Sequence, residues 1–252
     1  YKRQLLAEAG CRLLKVGVQS VDEDVLKHVL NRPGRREKVR DTIRTARRAG
    51  ILVADCLEEF QDLIRLFVLL REKEVRGLRL AGAVNAGFEC VALADRICSL
   101  RLGEFSRDTQ DRLQEVFRKV GIEQIVAIHN PLDLTPMADD EAYEEVLHCL
   151  LKDPAVDAVV AGCVPLSPAL DNRVPDQGGS RTSPDGPEGI PVGERLVRVF
   201  RRTRKPLIVV VDAGRMYAPL VRYLRGSGIP VLRRMDHAVG VFEKYILSRV
   251  KS

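Results

Sequence analysis

The chain has 252 residues, 45% of them hydrophobic and 30% charged, with a formal net charge of +6. This composition makes disorder a poor default and suits a globular protein with one large or two modest cores, while the longest apolar runs, such as residues 125–128 and 207–211, have strand length rather than the length of a membrane span. Residues 1–50 hold 13 Lys/Arg against 6 Asp/Glu, a local +7 that leaves −1 for everything after, so the basicity belongs to the first fifth and, lacking interleaved aromatic residues, reads as a solvated helix face rather than a nucleic-acid surface.

The sequence shows no signal peptide, and its opening on Tyr1 rather than Met suggests a fragment or an incomplete gene model. The first segment reads as a helix ending near Gly10, a strand in "CRLLKVGVQS" and a capping pair, Ser20 and Glu23, ahead of "VDEDVLKHVL". Arg40, Arg44, Arg47 and Arg48 then lie at helical spacing around Val39 and Ile43. A unit of this size is too small for an independent core.

From Asp55 the helical and strand periods alternate. Asp55 and Glu58 resemble a capping box, followed by a helix with Leu57, Phe60, Ile64, Phe67 and Val68 on one face. "LRLAGAV" is a strand, "FECVALADRICSL" a helix, and "SRDTQDRLQEVFRKVG" a helix capped by Ser106 and stopped by Gly121. "QIVAIHNPLDL" reads as a strand and a Pro-marked turn. "MADDEAYEEVLHCLLKD" is a helix with acids in its first turn, where the macrodipole favours them. "AVDAVVAGCVPL" has the near-continuous apolar character of a strand buried on both faces. Residues 167–190, rich in Pro, Gly, Ser and Asp, read as a flexible loop. "VGERLVRVFRRTR", "KPLIVVVDAG", "RMYAPLVRYLRGSG", "IPVLR" and "MDHAVGVFEKYILSRV" close the series as helix, strand, helix, strand and helix. The expected fold is α/β: a flavodoxin-like doubly wound parallel sheet of about five strands over residues 53–252, preceded by a small α/β fragment, residues 1–52.

In open parallel sheets ligands bind beyond the carboxyl ends of strands. Asn85-Ala86-Gly87 falls at such an end. Gly87 allows close backbone approach, and the amino end of the following helix favours an anion; the bland reading is a tight turn with Asn85 capping the helix. His129 precedes Asn-Pro at a strand end, His148 lies mid-helix among apolar residues, and Asp133 reads as a turn or capping group with an accessory role as the functional alternative. Six scattered cysteines without a C-x-x-C pair imply no metal or iron–sulfur site, act as small core residues, and point to a reduced cytoplasmic setting.

"NAGFECVALAD" resembles the NAGG-x-G-V-L-A-A-D segment of the NDP-forming acyl-CoA synthetases, the family of ADP-forming acetyl-CoA synthetase related to succinyl-CoA synthetase. "DCLEEFQDLIRLFVLL", "HNPLDLTPMADDEAYEEVLHCLLKDPAVDAVV", "KPLIVVVDAG" and "SGIPVLRRMDHAVGVFEKY" resemble further segments of that family in the same order, covering residues 53–250. The resemblance implies an acid–thiol ligase in which acyl-CoA, nucleoside diphosphate and phosphate interconvert with the free acid, CoA and nucleoside triphosphate by way of a phosphohistidine. It places a phosphate seat at Asn85, Ala86, Gly87, Phe88 and Glu89, where Phe88 and Glu89 replace the family's small residues and Glu89 suits a phosphate only if it turns away. The Ser-His-Thr-Gly-Ala type loop of the family's nucleophile has no counterpart, since His28, His129, His148 and His237 do not match it. The chain therefore offers no catalytic residue of its own. CoA and ADP or ATP belong to the full enzyme, and the partners implied are CoA-binding and ATP-grasp domains or subunits, with neither nucleic acid nor membrane.

Residues 8–51 resemble an internal piece of a radical S-adenosylmethionine barrel, with Gln19 and Ser20 placed toward the adenosylmethionine and without the C-x-x-x-C-x-x-C motif that holds the iron–sulfur cluster. A mis-joined gene or truncated fusion near "RRAGILVADCLEEF" accounts for the two partial resemblances. A remnant of a radical S-adenosylmethionine enzyme and a non-catalytic binding module of the same fold are the alternatives to the ligase domain.

Overall fold

The computed structural model describes residues 36–48, 50–174 and 190–250. These fall into two compact units, one up to Gln61 and one over Asp62–Val250. The strand and capping pair expected before residue 36, Gln19 and Ser20, Cys11, His28 and most of the loop at 167–190 lie outside the described residues.

In the first unit, helix α1 (Arg36–Arg48) forms where the arginine spacing predicts it, and Arg40, Arg44, Arg47 and Arg48 are all exposed, in keeping with a solvated face. Arg47 pairs with Asp55 at 3.1 Å across two exposed side chains, a contact worth little in water. The expected capping box shifts by one residue: the Asp55 backbone N–H donates to Glu59, not Glu58.

Helix α2 (Leu57–Leu69) runs from the first unit into the second. Its buried stripe there is Leu63 and Leu66, continued by Leu70 just past its end. Of the expected face, Leu57, Ile64 and Val68 are exposed and Phe60 and Phe67 half-buried, so the buried face is rotated from the expected one. The run is apolar enough to offer two stripes, and Asp62 selects one of them by meeting His237 at 3.0 Å and Arg65 at 2.6 Å.

The sheet of the second unit contains β1 (Arg79–Val84), β2 (Arg101–Leu102), β3 (Leu132–Asp133), β4 (Ala158–Gly162), β5 (Leu207–Val210) and β6 (Val231–Leu232). All pairings are parallel. The order is β2-β1-β4-β5-β6, with β3 also on β1. Because β2 meets β1 at Arg79 and Leu80 while β3 meets it at Ala83 and Val84, the two short strands share one column, and the sheet has the 2-1-3-4-5 order of a doubly wound fold. The strand expected over residues 124–128 is absent. The ladder is instead shared between β2, just past the helix expected over residues 88–100 and given no element by the sequence pattern, and the two residues of β3.

The gap between them is filled by a side chain. Asn130 Oδ1 accepts from the Gly82 N–H at 3.0 Å, and its Nδ2 donates to the Leu80 carbonyl at 2.8 Å and the Gly103 carbonyl at 2.9 Å. An amide carries the same donor and acceptor as a peptide unit, so Asn130 stands in for the missing strand residue. The peptide bond from Asn130 to Pro131 is cis.

Helix α3 (Gly87–Arg96) packs on α8 (Met235–Val250); α4 (Arg107–Lys119), α5 (Asp140–Lys152), α6 (Val192–Arg202) and α7 (Ala218–Gly226) pack in series. Between them β4 and β5 are wholly buried, which explains their unbroken Val/Ile/Ala character. Glu243 of α8 accepts from the backbone N–H groups of Cys98, Ser99 and Leu100 and thereby satisfies the loop between α3 and β2. Asp157 is buried against Arg79, which donates to it from its backbone N–H at 3.0 Å and from Nε and Nη2 at 2.8 Å each; burial alone raises that carboxyl, but the Arg79 bonds outweigh it and hold the pKa below the usual range.

Ser106 and Asp139 cap α4 and α5 through their side-chain oxygens. Asp139→Ala is expected to lower stability by about 1 kcal/mol in urea denaturation, the usual worth of an N-cap. Among the described residues no helix is long and apolar enough to cross a membrane.

Candidate functional site

The turn Asn85-Ala86-Gly87 leaves β1 at its carboxyl end, beside β4. This is where the strand order reverses, since the chain goes from β1 outward to β2 and β3 and then back across to β4. Such a reversal opens a crevice in a doubly wound sheet.

Asn85 does not cap the helix. Its Nδ2 donates to the Val164 carbonyl at 2.9 Å and its Oδ1 accepts from the Val164 N–H at 2.8 Å, so it locks the end of β1 to the segment after β4. The N-cap position of α3 is Ala86, in extended geometry and without a side-chain bond. The first N–H groups of a helix have no intrahelical partner, so those of Gly87 and Phe88 are left without an N-cap side chain.

The five residues of the turn part company from there. Phe88 is 57% exposed, whereas Glu89, one position on, is fully buried. Neither Glu89 oxygen has a hydrogen-bond partner. Its carboxylate faces the Cα of Gly162 at the end of β4, close enough that a Cβ there would overlap it and the Met235 methyl. Burial, reinforced by the charge of Asp212, pushes the Glu89 pKa up to about 8. Near neutrality it is therefore largely protonated, and it is turned into the core rather than toward a ligand at the corner.

Asp133 takes the place beside the corner instead. A Cβ on Gly87 would lie 2.9 Å from Asp133 Oδ2, and Oδ1 accepts from the Thr135 N–H at 2.9 Å. Asp133 thus serves as the turn group expected of it and also sets a carboxylate at the amino end of α3, a position the helix dipole favours. Glycine at 87 is explained by that close approach. Thr135 has φ +57°, in the left-handed region.

The other candidates scatter. His129 is exposed. His148 lies on α5, 3.8 Å from Glu144; burial lowers its pKa, partly offset by Glu144. His237 is held by Asp62. Of the cysteines, Cys163 is buried as expected, but Cys56 and Cys98 are exposed. The structural role of Asn130 carries no signal in the sequence pattern, whereas the inward turn of Glu89 meets the condition that a Glu in place of the family's small residue sets for a phosphate seat.

No protein-family model matches the chain. Sequence relatives do. The chain is 28% identical over 194 residues to the alpha subunit of acetate–CoA ligase (ADP-forming) II of Pyrococcus furiosus, covering 75% of this chain and 37% of that protein. It is 26% identical over 216 residues to acetate–CoA ligase (ADP-forming) II of Archaeoglobus fulgidus, covering 82% and 28%. Among solved structures, a protein of Pyrococcus horikoshii superposes with a TM-score of 0.68 at 23% identity, covering 99% of this chain and 55% of that one. A dinucleotide-forming acetyl-coenzyme A synthetase 1 of Candidatus Korarchaeum cryptofilum, in complex with phosphate and ADP, gives 0.67 at 18%, covering 92% and 45%.

The class so defined is the parallel-sheet α/β domain found within larger proteins of this fold. More narrowly, the chain's sequence relatives are ADP-forming acetate–CoA ligases, and it spans about a third of their length.

Proposed function

We propose that residues 53–252 act as the C-terminal ligase domain of an ADP-forming acyl-CoA synthetase-like protein, in which the corner at Gly87 receives a phosphoryl group carried by a histidine of another segment. The observation that supports this most directly is the position of Gly87, at the carboxyl end of β1 where the strand order reverses, with the amino end of α3 beyond it. CoA and ADP are then bound by CoA-binding and ATP-grasp partners in the cytoplasm, and this chain alone is inactive.

The residues of the corner divide the work. Gly87 and Phe88 offer backbone N–H groups, Asn85 fixes the exit of β1, and Glu89 is withdrawn. Asp133 sets a negative charge where the phosphate would sit and favours a second reading, a non-catalytic module in which this carboxylate has taken the anion's place.

Transfer of the phosphoryl group from a histidine-phosphorylated partner domain to ADP, giving ATP and the free histidine in the presence of this chain, followed by phosphorus NMR, separates the two. The ligase reading expects transfer to fall at least about tenfold in Gly87→Val, which puts a branched side chain against Asp133, and expects phosphate to bind roughly tenfold tighter in Asp133→Asn, as removing a like charge from an anion seat allows. Transfer unchanged in Gly87→Val, with no phosphate binding in either variant, rejects the seat. The resemblance of residues 8–51 to a radical S-adenosylmethionine barrel rests on sequence alone, with α1 its described part.

A further inference from the structure

At the opposite end of the sheet, by the amino ends of the strands, lies a cavity of about 690 Å³, within the range of small-ligand sites. Its position follows from the chain: Arg76 precedes β1, Thr203 to Lys205 precede β5, and Lys152 ends α5 ahead of β4. All its lining residues belong to the second unit.

Seven Lys and Arg side chains line it against three Glu. Two of the three acids are committed: Glu74 to Arg76 and Arg204, and Glu145 to Lys119. Lys152 and Arg202 are exposed and have no ion-pair partner among the described residues. A cation in the last turn of a helix is ordinary, because it complements the dipole, and that accounts for Lys152 on α5 and Arg202 on α6 taken singly. It does not account for their convergence with Arg112 and Lys119 of α4 on one cavity. The floor is apolar, formed by the nearly buried Val116 and Leu151. His148 on the wall keeps a lowered pKa, chiefly through burial, with Glu144 opposing the shift and the nearby charges of Lys152 and Arg202 adding to it.

We infer that this cavity is a binding site for a small polyphosphate-bearing ligand, with Lys152 and Arg202 as its principal anion contacts and Val116 and Leu151 as the seat for an apolar or aromatic group. The site goes beyond the proposed phosphate corner and shares no residue with it. Of the seven cations, Arg76 and Arg204 meet Glu74, Arg112 meets Asp108, Lys119 meets Glu145 and Lys205 Nζ donates to the Asp153 carbonyl. Polyphosphate charge suits the remaining pair, Lys152 and Arg202 on two separate helices, which a single monovalent anion would leave half matched. A ligand that also carries a ring gains the floor.

Isothermal titration of the whole chain with ATP and with inorganic tripolyphosphate, at low and moderate salt, tests this. Both probes are expected to saturate, ATP the more tightly, with affinity falling as salt rises. The exposed pair Lys152→Gln and Arg202→Gln is expected to weaken both probes by about tenfold for each charge removed, while Arg222→Gln, on the exposed face of α7, and Gly87→Val leave binding unchanged. Equal affinity for the two probes removes the apolar seat from the proposal. Failure of either probe to saturate, or equal loss in the Arg222 and Lys152/Arg202 variants, overturns the site. Loss in Gly87→Val alone assigns the binding to the corner instead.

Discussion

Glu89→Met is expected to be more stable than the unmodified chain, by a margin that widens as the pH rises from 5 to 8. Glu89 is fully buried without a hydrogen-bond partner, and its pKa is pushed up to about 8 by burial first and the Asp212 charge second. A carboxyl in the unfolded chain titrates near 4.5. Below that value both states hold the proton and pH has no leverage. Between about 4.5 and 8 the folded state keeps the proton while the unfolded state has lost it, so unfolding releases a proton and stability falls as pH rises, by about 1.4 kcal/mol per unit.

The whole effect is on the order of 5 kcal/mol by pH 8, about 3 of it reached by pH 7, and it levels off above the folded pKa. Methionine is unbranched like glutamate, larger by about one methylene but adaptable in a core, and has no group to leave unsatisfied. Glu89→Gln removes the pH dependence but keeps a buried amide without a partner, so it is expected to gain roughly 1–3 kcal/mol less than Met. Urea denaturation of the three proteins at half-unit steps from pH 5 to 8 checks both the sign and the split. Parallel profiles for the unmodified chain and Glu89→Met would show that the carboxyl is ionised or solvated in the fold.

The second large effect is expected at Asn130. Its side chain makes three hydrogen bonds to main-chain groups of Leu80, Gly82 and Gly103 in the interval that β2 and β3 leave open along β1. Alanine there strips a buried N–H and two carbonyls of their partners at once. Each unmatched buried group costs about 1–3 kcal/mol, so a loss of at least ~3 kcal/mol is expected. Asn130→Asp is expected to be no better, because it keeps one acceptor and sets its charge beside two carbonyl oxygens. His129→Ala, next in sequence but exposed, is expected to stay within about 0.5 kcal/mol of the unmodified chain. Equal, small effects at both positions would show that water replaces the Asn130 amide without penalty.

The Asn130 case shows what sequence patterning reads well and what it reads poorly. "LRLAGAV", "AVDAVVAGCV" and "KPLIVVVDAG" are strands because a doubly covered parallel strand has to be apolar on both faces, which leaves a continuous run. Residues 124–128 have the same character and form no strand. Nothing local distinguishes them; the position they would fill along β1 is divided between a two-residue strand and one amide side chain. Gly87 was legible as a corner glycine, but the group it makes room for, Asp133, is 46 positions away. The rotation of α2 has the same origin, since Asp62 is anchored by His237 of the last helix.

Most of the order of elements, the parallel sheet and the glycine-bearing corner after β1 were thus set by local pattern, because hydrophobic period and turn chemistry act over a few residues. Only the tertiary structure decided that Glu89 turns inward, that Asp133 occupies the corner, and that cations from α4, α5 and α6 share one cavity. Those outcomes depend on which distant surfaces face one another, and burial and charge acquire their energies only once that packing exists.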